Sequence, residues 1–314
     1  MKAAMRTSHQ LFKLVLATSL SACSLAPLVA RADFSYTATG PGVQWYISDN
    51  MLPNSATTPP NGGLALSDAD FNTLGQGLDA YDGAFAIKVN GSYFVAPSTA
   101  TLNSTVFNSG VVSSGALNVQ VTYSFMQNKP IVRALYSFTA TAPTTNVVSW
   151  DVNLGSDANT TIRATSSNAN SGPVALSDRW FVSTDNGNGD AINTIVRWGP
   201  GAQQSPESGS ILPNGGDLLA DKYTLSFTAN DISQGKTTKQ LMMFGVLNTI
   251  GGGATAARDS AAIFNDPQTM LSQGYFDGAN FQNVVNWGVV PEPSSGAVIA
   301  AGFGILLLLR RKRA

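Results

Sequence analysis

Between residues 117 and 138 the chain alternates with period two. Leu117, Val119, Val121, Tyr123 and Phe125 fall on one side, with Asn118, Gln120, Thr122 and Ser124 between them. Asn128-Lys129-Pro130 interrupts the run as a turn, and Val132, Ala134, Tyr136 and Phe138 resume it. The same pattern returns at Val148, Trp150, Val152 and Leu154, and at Tyr223, Leu225 and Phe227; Leu241 to Leu247 reads as a fully buried strand. Alternating apolar and polar positions predict half-buried antiparallel strands, and the turn clusters between them have the spacing of a sandwich. Helical signals are few. Ser67 is placed to cap a short helix through Leu74, with Asp68 and Asp70 in its first turn. Asp266-Pro267 predicts a second one, ending near Gly274. Residues 200–216, rich in Gly, Pro and Ser, read as a long loop. The expected body is therefore one large antiparallel β-sandwich over residues 33–288, all-β with a few short helices; two smaller sandwiches are the alternative.

Composition narrows the chemistry. Charged residues are only 12% of the chain while 43% are apolar, which suits a secreted β-protein and not a disordered one. Between Asp33 and Val290 there are 18 acidic against ten basic residues, so nucleic acid is not an expected partner. The single cysteine, Cys23, and the single histidine, His9, both lie near the start. The body therefore has no disulfide, no zinc site built on His or Cys, and no Ser-His-Asp or Cys-His catalytic set.

The ends carry targeting patterns. Lys2, Arg6 and Lys13 precede the mostly apolar stretch Leu14 to Val29, and Ala30-Arg31-Ala32 forms a small-x-small cleavage site before Asp33. Residues 1–32 thus read as a signal peptide. Leu20-Ser21-Ala22-Cys23 also resembles a lipobox, which would make the chain a lipoprotein anchored at Cys23. At the other end, Val290-Pro291-Glu292-Pro293-Ser294 precedes an apolar stretch from Gly296 to Leu309 and then Arg310-Arg311-Lys312-Arg313. The three parts in this order, over residues 289–314, closely resemble the PEP-CTERM sorting signal of Gram-negative bacteria. A helix of these apolar residues spans about 21 Å, short of a roughly 30 Å hydrocarbon core, a gap that snorkelling arginines and local thinning close. The resemblance implies one C-terminal transmembrane helix, the basic cluster on the cytoplasmic side, and processing by an exosortase after passage through the export machinery. Pro291, Glu292 and Pro293 would then be substrate residues of that enzyme.

Within the body, Asp185-Asn186-Gly187-Asn188-Gly189-Asp190 is the densest polar loop. Asn-Gly favours a solvated hairpin turn there; a calcium site through Asp185, Asn186, Asn188 and Asp190 is the alternative, since calcium takes several hard oxygens. Asp68-Ala69-Asp70-Phe71-Asn72, with Asp79, offers a second alternating oxygen set, which helix capping explains as well. Asp178-Arg179-Trp180 reads as a core tryptophan beside a buried ion pair, and Asn153 to Asp157 as a turn; a sugar site is the alternative for both. Ser233-Gln234-Gly235-Lys236 and Ser48-Asp49-Asn50 match penicillin-recognising motifs by chance, in the wrong order and with no K-T-G. Glu207 is the only glutamate of the body, so no glycosidase pair stands out. No cofactor other than calcium is expected. The expectation is an exported, non-enzymatic cell-surface or matrix protein, structural or adhesive and in contact with exopolysaccharide. The alternative is a glycan-processing enzyme that uses Asp carboxylates.

Overall fold

The computed structural model describes residues 34–37, 42–51, 63–71, 80–81, 83–142, 147–153, 161–170, 172–184, 191–212, 222–228, 238–248 and 253–288. Residues 1–32 and 289–314, on which the expected signal peptide and sorting tail fall, lie outside them, as do Cys23 and residues 185–190. Among the described residues no helix is long and apolar enough to cross a membrane.

In chain order the strands are β1 (Phe34–Thr37), β2 (Val43–Met51), β3 (Gly63–Phe71), β4 (Ala86–Val89), β5 (Ser92–Tyr93), β6 (Thr101–Asn103), β7 (Val106–Ser114) and β8 (Leu117–Phe125). They continue with β9 (Ile131–Ala140), β10 (Val147–Asn153), β11 (Thr161–Thr165), β12 (Trp180–Thr184), β13 (Ile192–Val196), β14 (Ser208–Leu212), β15 (Lys222–Thr228) and β16 (Thr238–Asn248). The helices are α1 (Gly253–Ala261), a 3₁₀ turn (Ala262–Asn265) and α2 (Pro267–Ser272). An eight-stranded sheet runs β11-β12-β13-β16-β9-β8-β7-β6, a five-stranded sheet runs β14-β15-β10-β4-β5, and a three-stranded sheet runs β1-β2-β3. The strands pair antiparallel throughout. Backbone bonds from Leu64 to Phe94 and from Leu66 to Ala84 (2.8 and 2.9 Å) join the two smaller sheets. The expected antiparallel β-sandwich is observed.

Alternation explains how the layers meet. On β8 every odd position from Leu117 to Phe125 is buried and every even one is half-buried. Its apolar face enters a core with Trp45, Tyr81, Trp150, Phe181 and Phe227 from all three sheets. Tyr81 and Phe85, both with positive φ (67° and 61°), carry the chain through this core. Their bend is held by phenol hydroxyls: Tyr136 donates to the Phe85 carbonyl (2.7 Å), and the Tyr81 hydroxyl lies against the carbonyls of Thr194 and Val246 (2.9 and 2.7 Å).

A second core lies on the outer face of the large sheet, where Met242, Phe244 and Val246 of β16 pack against Phe264, Tyr275, Phe276 and Trp287. Both faces of β16 are therefore covered from Leu241 to Leu247, which accounts for that stretch losing its alternation.

Two local expectations need correction, and one helix is new. Ser67 to Phe71 is not helical but lies in β3, where Asp70 and Asp68 stand opposite Gln44 and Tyr46; burial of Leu64, Leu66, Ala69 and Phe71 outweighs the capping propensity of the serine. The 200–216 stretch contains β14, paired with β15. Helix α1 was not anticipated, because its Gly253-Ala-Thr-Ala sequence carries no capping signal or strong apolar stripe and buries only Ala257 and Ala261. The second predicted helix is present. Asp266 accepts from the backbone of Gln268 and Thr269 (3.1 and 3.2 Å) and from the Thr269 hydroxyl (2.6 Å), and these bonds hold its carboxyl below the usual range. The following chain turns at Gly274, with φ of 76°.

Candidate functional site

The site begins with one charged side chain in a strand. Inward positions of β9 are apolar, and Arg133 stands on the outer face between Phe244 of β16 and Ser124 of β8. An unpaired guanidinium there would be costly. The chain segment after α2 crosses this face and supplies acceptors: Nη1 of Arg133 donates to the carbonyls of Tyr275 (3.1 Å) and Asp277 (2.8 Å), and Nη2 donates to Ser124 Oγ (3.2 Å). The residue is only 7% exposed, and its Nε, also buried, has no acceptor among the described residues. Burial lowers the pKa of Arg133, and the Asp277 charge opposes that shift.

Beside Arg133 lies a cavity of about 330 Å³. Its walls come from the β6–β7 turn (Thr105, Val106), the β8–β9 turn (Met126, Gln127, Lys129) and the chain after α2 (Gln273, Asp277). Asn128, with φ of 64°, shapes the β8–β9 turn and allows Lys129 to fold back. Lys129 Nζ donates to Gln273 Oε1 (2.9 Å) and sits 4.1 Å from the Tyr275 ring centroid, a cation–π contact. Desolvation lowers its pKa. The Asp277 carboxylate lies against Gly274, where a Cβ would meet Oδ2 at 2.8 Å. Two cations and one carboxylate thus share a polar cavity with two side-chain amides and two hydroxyls.

Strand register extends this site into a polar floor. Arg133 and Ser124 head a set of outer-face rows in which polar residues predominate: Asn108 and Thr122 beside Leu135; then Ser137 and Gln120 beside Val111; then Thr139, Asn118 and Ser113. The rows are knit across strands by Gln120 Nε2 to Asn108 Oδ1 (2.8 Å), Ser113 Oγ to Asn118 Oδ1 (2.8 Å) and Gln240 Nε2 to Ser137 Oγ (3.0 Å). From Ser124 to Asn118 the floor runs about 20 Å at roughly 3.4 Å per residue.

The residues expected from sequence lie elsewhere. Asp178 is buried and accepts from Ser166 Oγ, Ser167 N, Ser167 Oγ and Ala175 N at 2.6–3.3 Å. Burial pushes its pKa up, but these bonds outweigh it and hold the carboxyl below its ordinary value. Its cationic companion is not Arg179 but Arg197, whose Nη2 donates to the carbonyls of Ala175 and Asp178. Trp180 is buried and donates to Asn265 Oδ1 (3.2 Å). The group is a core staple, as the plainer expectation had it.

Asp68 and Asp70 flank Tyr46, whose phenol is pushed up by burial and then by the two carboxylates; Asn72 and Asp79 lie outside the described residues. Ser48 and Asp49 are buried in β2, Ser233 to Lys236 lie outside, and Glu207 is exposed at the edge of β14. Asp185, Asn186, Asn188 and Asp190 also lie outside, between the paired strands β12 and β13. Arg133, Lys129 and Asp277 were not anticipated. The available signal was Arg133 itself, a cation on a strand where the next outward residue is Leu135.

No protein-family model matches the chain, and no curated protein matches it. Solved structures do match in fold. A galactose mutarotase-like protein from Lactobacillus casei is 9% identical, with a TM-score of 0.43, over 68% of this chain and 100% of that one. A heparinase III is 11% identical, with a TM-score of 0.43, over 72% of this chain and 35% of that one. A heparan sulfate lyase mutant from Pedobacter heparinus is 11% identical, with a TM-score of 0.40, over 69% and 36%. The chain thus spans about a third of each lyase. The expectation of a non-enzymatic protein is withdrawn, since these matches carry the names of sugar-acting proteins and lend it no support. The likeness is one of fold alone and transfers no residue and no reaction, so the functional reading rests on the cavity.

Proposed function

We propose that the chain is an exported protein whose β-sandwich body binds and processes a glycan in the cavity beside Arg133. The observation that carries this reading is the cavity itself: a buried, fixed guanidinium, a lysine, a carboxylate, amides and hydroxyls converge on about 330 Å³, the mix of polar groups that orients a polyhydroxylated ligand. Arg133 positions the sugar. Lys129, whose lowered pKa brings it nearer to exchanging a proton, and Asp277 are the acid–base groups. A glycosidase pair of carboxylates is not assembled there among the described residues, because Asp277 is the cavity's only one. Proton transfer by a Lys and Asp set is therefore the reaction class favoured.

Delivery is part of the proposal. The signal-peptide pattern over 1–32 and the PEP-CTERM-like tail over 289–314 support export, anchoring by the C-terminal helix before processing at Pro291 to Pro293 by an exosortase, and release to the surface or matrix, where exopolysaccharide is the accessible glycan. The test is turnover of host exopolysaccharide by the full chain, followed by product mass and by new reducing or unsaturated ends. Asp277→Asn and Lys129→Gln should each lower turnover by about 100-fold. Wild-type turnover unaffected by both would place the chemistry elsewhere; binding without turnover would overturn the processing step.

A further inference from the structure

Resting on that glycan reading, we propose that the sugar held in the cavity carries a carboxylate, so that the ligand is a uronate residue of an acidic polysaccharide, recognised by Arg133 and Lys129. A guanidinium has five N–H donors. Three are taken by Tyr275, Asp277 and Ser124, which leaves Nε–H and one Nη2 hydrogen. The buried Nε has no acceptor among the described residues, and Arg133 lines the cavity, so a small shift of the side chain toward the cavity would present Nε to a ligand there beside Nη2. Adjacent Nε and Nη2 donors form the fork that a planar carboxylate fills with both oxygens.

Charge points the same way. Asp277 offers Arg133 its backbone carbonyl, while its carboxylate lies over Gly274. Lys129 is tied to a neutral amide and an aromatic ring, not to an anion. Two cations so held, against one carboxylate, leave the cavity an excess of positive charge in a body with 18 acidic and ten basic residues. A neutral sugar would accept hydrogen bonds there but leave that excess charge uncompensated. The polar rows leading from Ser124 to Asn118 give an extended chain hydroxyl and amide partners beyond the cavity, which suits a polymer over a free sugar.

Calorimetric titration of the full chain with polygalacturonate and with alginate, each beside its carboxyl-reduced form, and with dextran sulfate, tests this. At least one polyuronate should bind, and carboxyl reduction should weaken it by about tenfold or more. Lys129→Gln should weaken it several-fold and leave the thermal midpoint unchanged, so the result does not depend on whether Arg133→Met folds. Arg133→Lys, which keeps the charge without the fork, should bind polyuronate worse than wild type. Equal binding of the carboxyl-reduced polymers would overturn the carboxylate inference and leave the glycan reading standing. Dextran sulfate bound more tightly than either polyuronate, with the same loss in Lys129→Gln, would replace carboxylate by sulfate. Binding of no polymer, charged or reduced, would overturn both readings.

Discussion

Among the described residues two arginines are buried, and their surroundings differ. Arg197 is fully buried beside Asp178, and that carboxylate is saturated by Ser166, Ser167 and the Ala175 amide. Arg133 is nearly as buried, but its acceptors are main-chain carbonyls and one hydroxyl, and a cavity opens beside it. Arg197 ties the Ala175 and Asp178 carbonyls to the end of β13 from within the core. What sets Arg133 apart is that cavity, which gives its side chain a place to meet a ligand. Both touch the same segment after α2: Asn286 donates to the Arg197 carbonyl (2.9 Å), and Arg133 grips Tyr275 and Asp277.

The comparison can be broken by substitution. Arg197→Met should have the largest effect, a loss of about 3–5 kcal/mol in denaturant unfolding, because it takes the donor from the Ala175 and Asp178 carbonyls and removes the charge that offsets the buried Asp178 carboxylate; a loss under about 1 kcal/mol would deny Arg197 its structural role. Gly199→Ala comes next. Its Cβ would run into the Trp287 ring, and displacing that buried indole should cost about 3 kcal/mol and also loosen the segment that Arg133 holds, visible as faster hydrogen exchange over 275–287. Arg133→Met should cost only about 1–2 kcal/mol for its lost hydrogen bonds while abolishing polyuronate binding. Comparable stability losses at the two arginines would erase the distinction drawn between them.

Acid sharpens it further. Asp178 has a folded-state pKa below its ordinary value, so its stabilisation is present above about pH 4 and is lost as pH falls through the folded value. Asp178→Asn should flatten the fall in stability between pH 4 and more acidic conditions, read from denaturation midpoints. Lys129→Gln should have the smallest effect on folding, within about 0.5 kcal/mol.

Strand existence was legible because period two is a local property. β8 buries each odd residue from Leu117 to Phe125 as the alternation predicts, and Asp266-Pro267 caps α2 because its acceptor and donors lie within three residues of one another. Ser67 to Phe71 misled because the same short polar residues cap helices and face outward on strands, and only the apolar partners across β2 and β4 decide between them. The Asp178 staple was half legible: burial was anticipated, but the companion proved to be Arg197, nineteen residues along the chain, and not the adjacent Arg179.

What the sequence determined by itself is the local code: alternation, caps, turns, and a body whose lack of histidine and cysteine rules out whole classes of chemistry. What only the tertiary structure decided is which side chains meet. Arg133 and Asp277 stand 144 positions apart and are joined because β16 pairs with β9 and the chain after α2 folds back over both to cover Met242 and Phe244. Nothing near either residue encodes that meeting. It follows from the burial of an apolar stripe elsewhere, because hydrophobic burial is non-directional and sets where segments cross without regard to the polar groups it brings together.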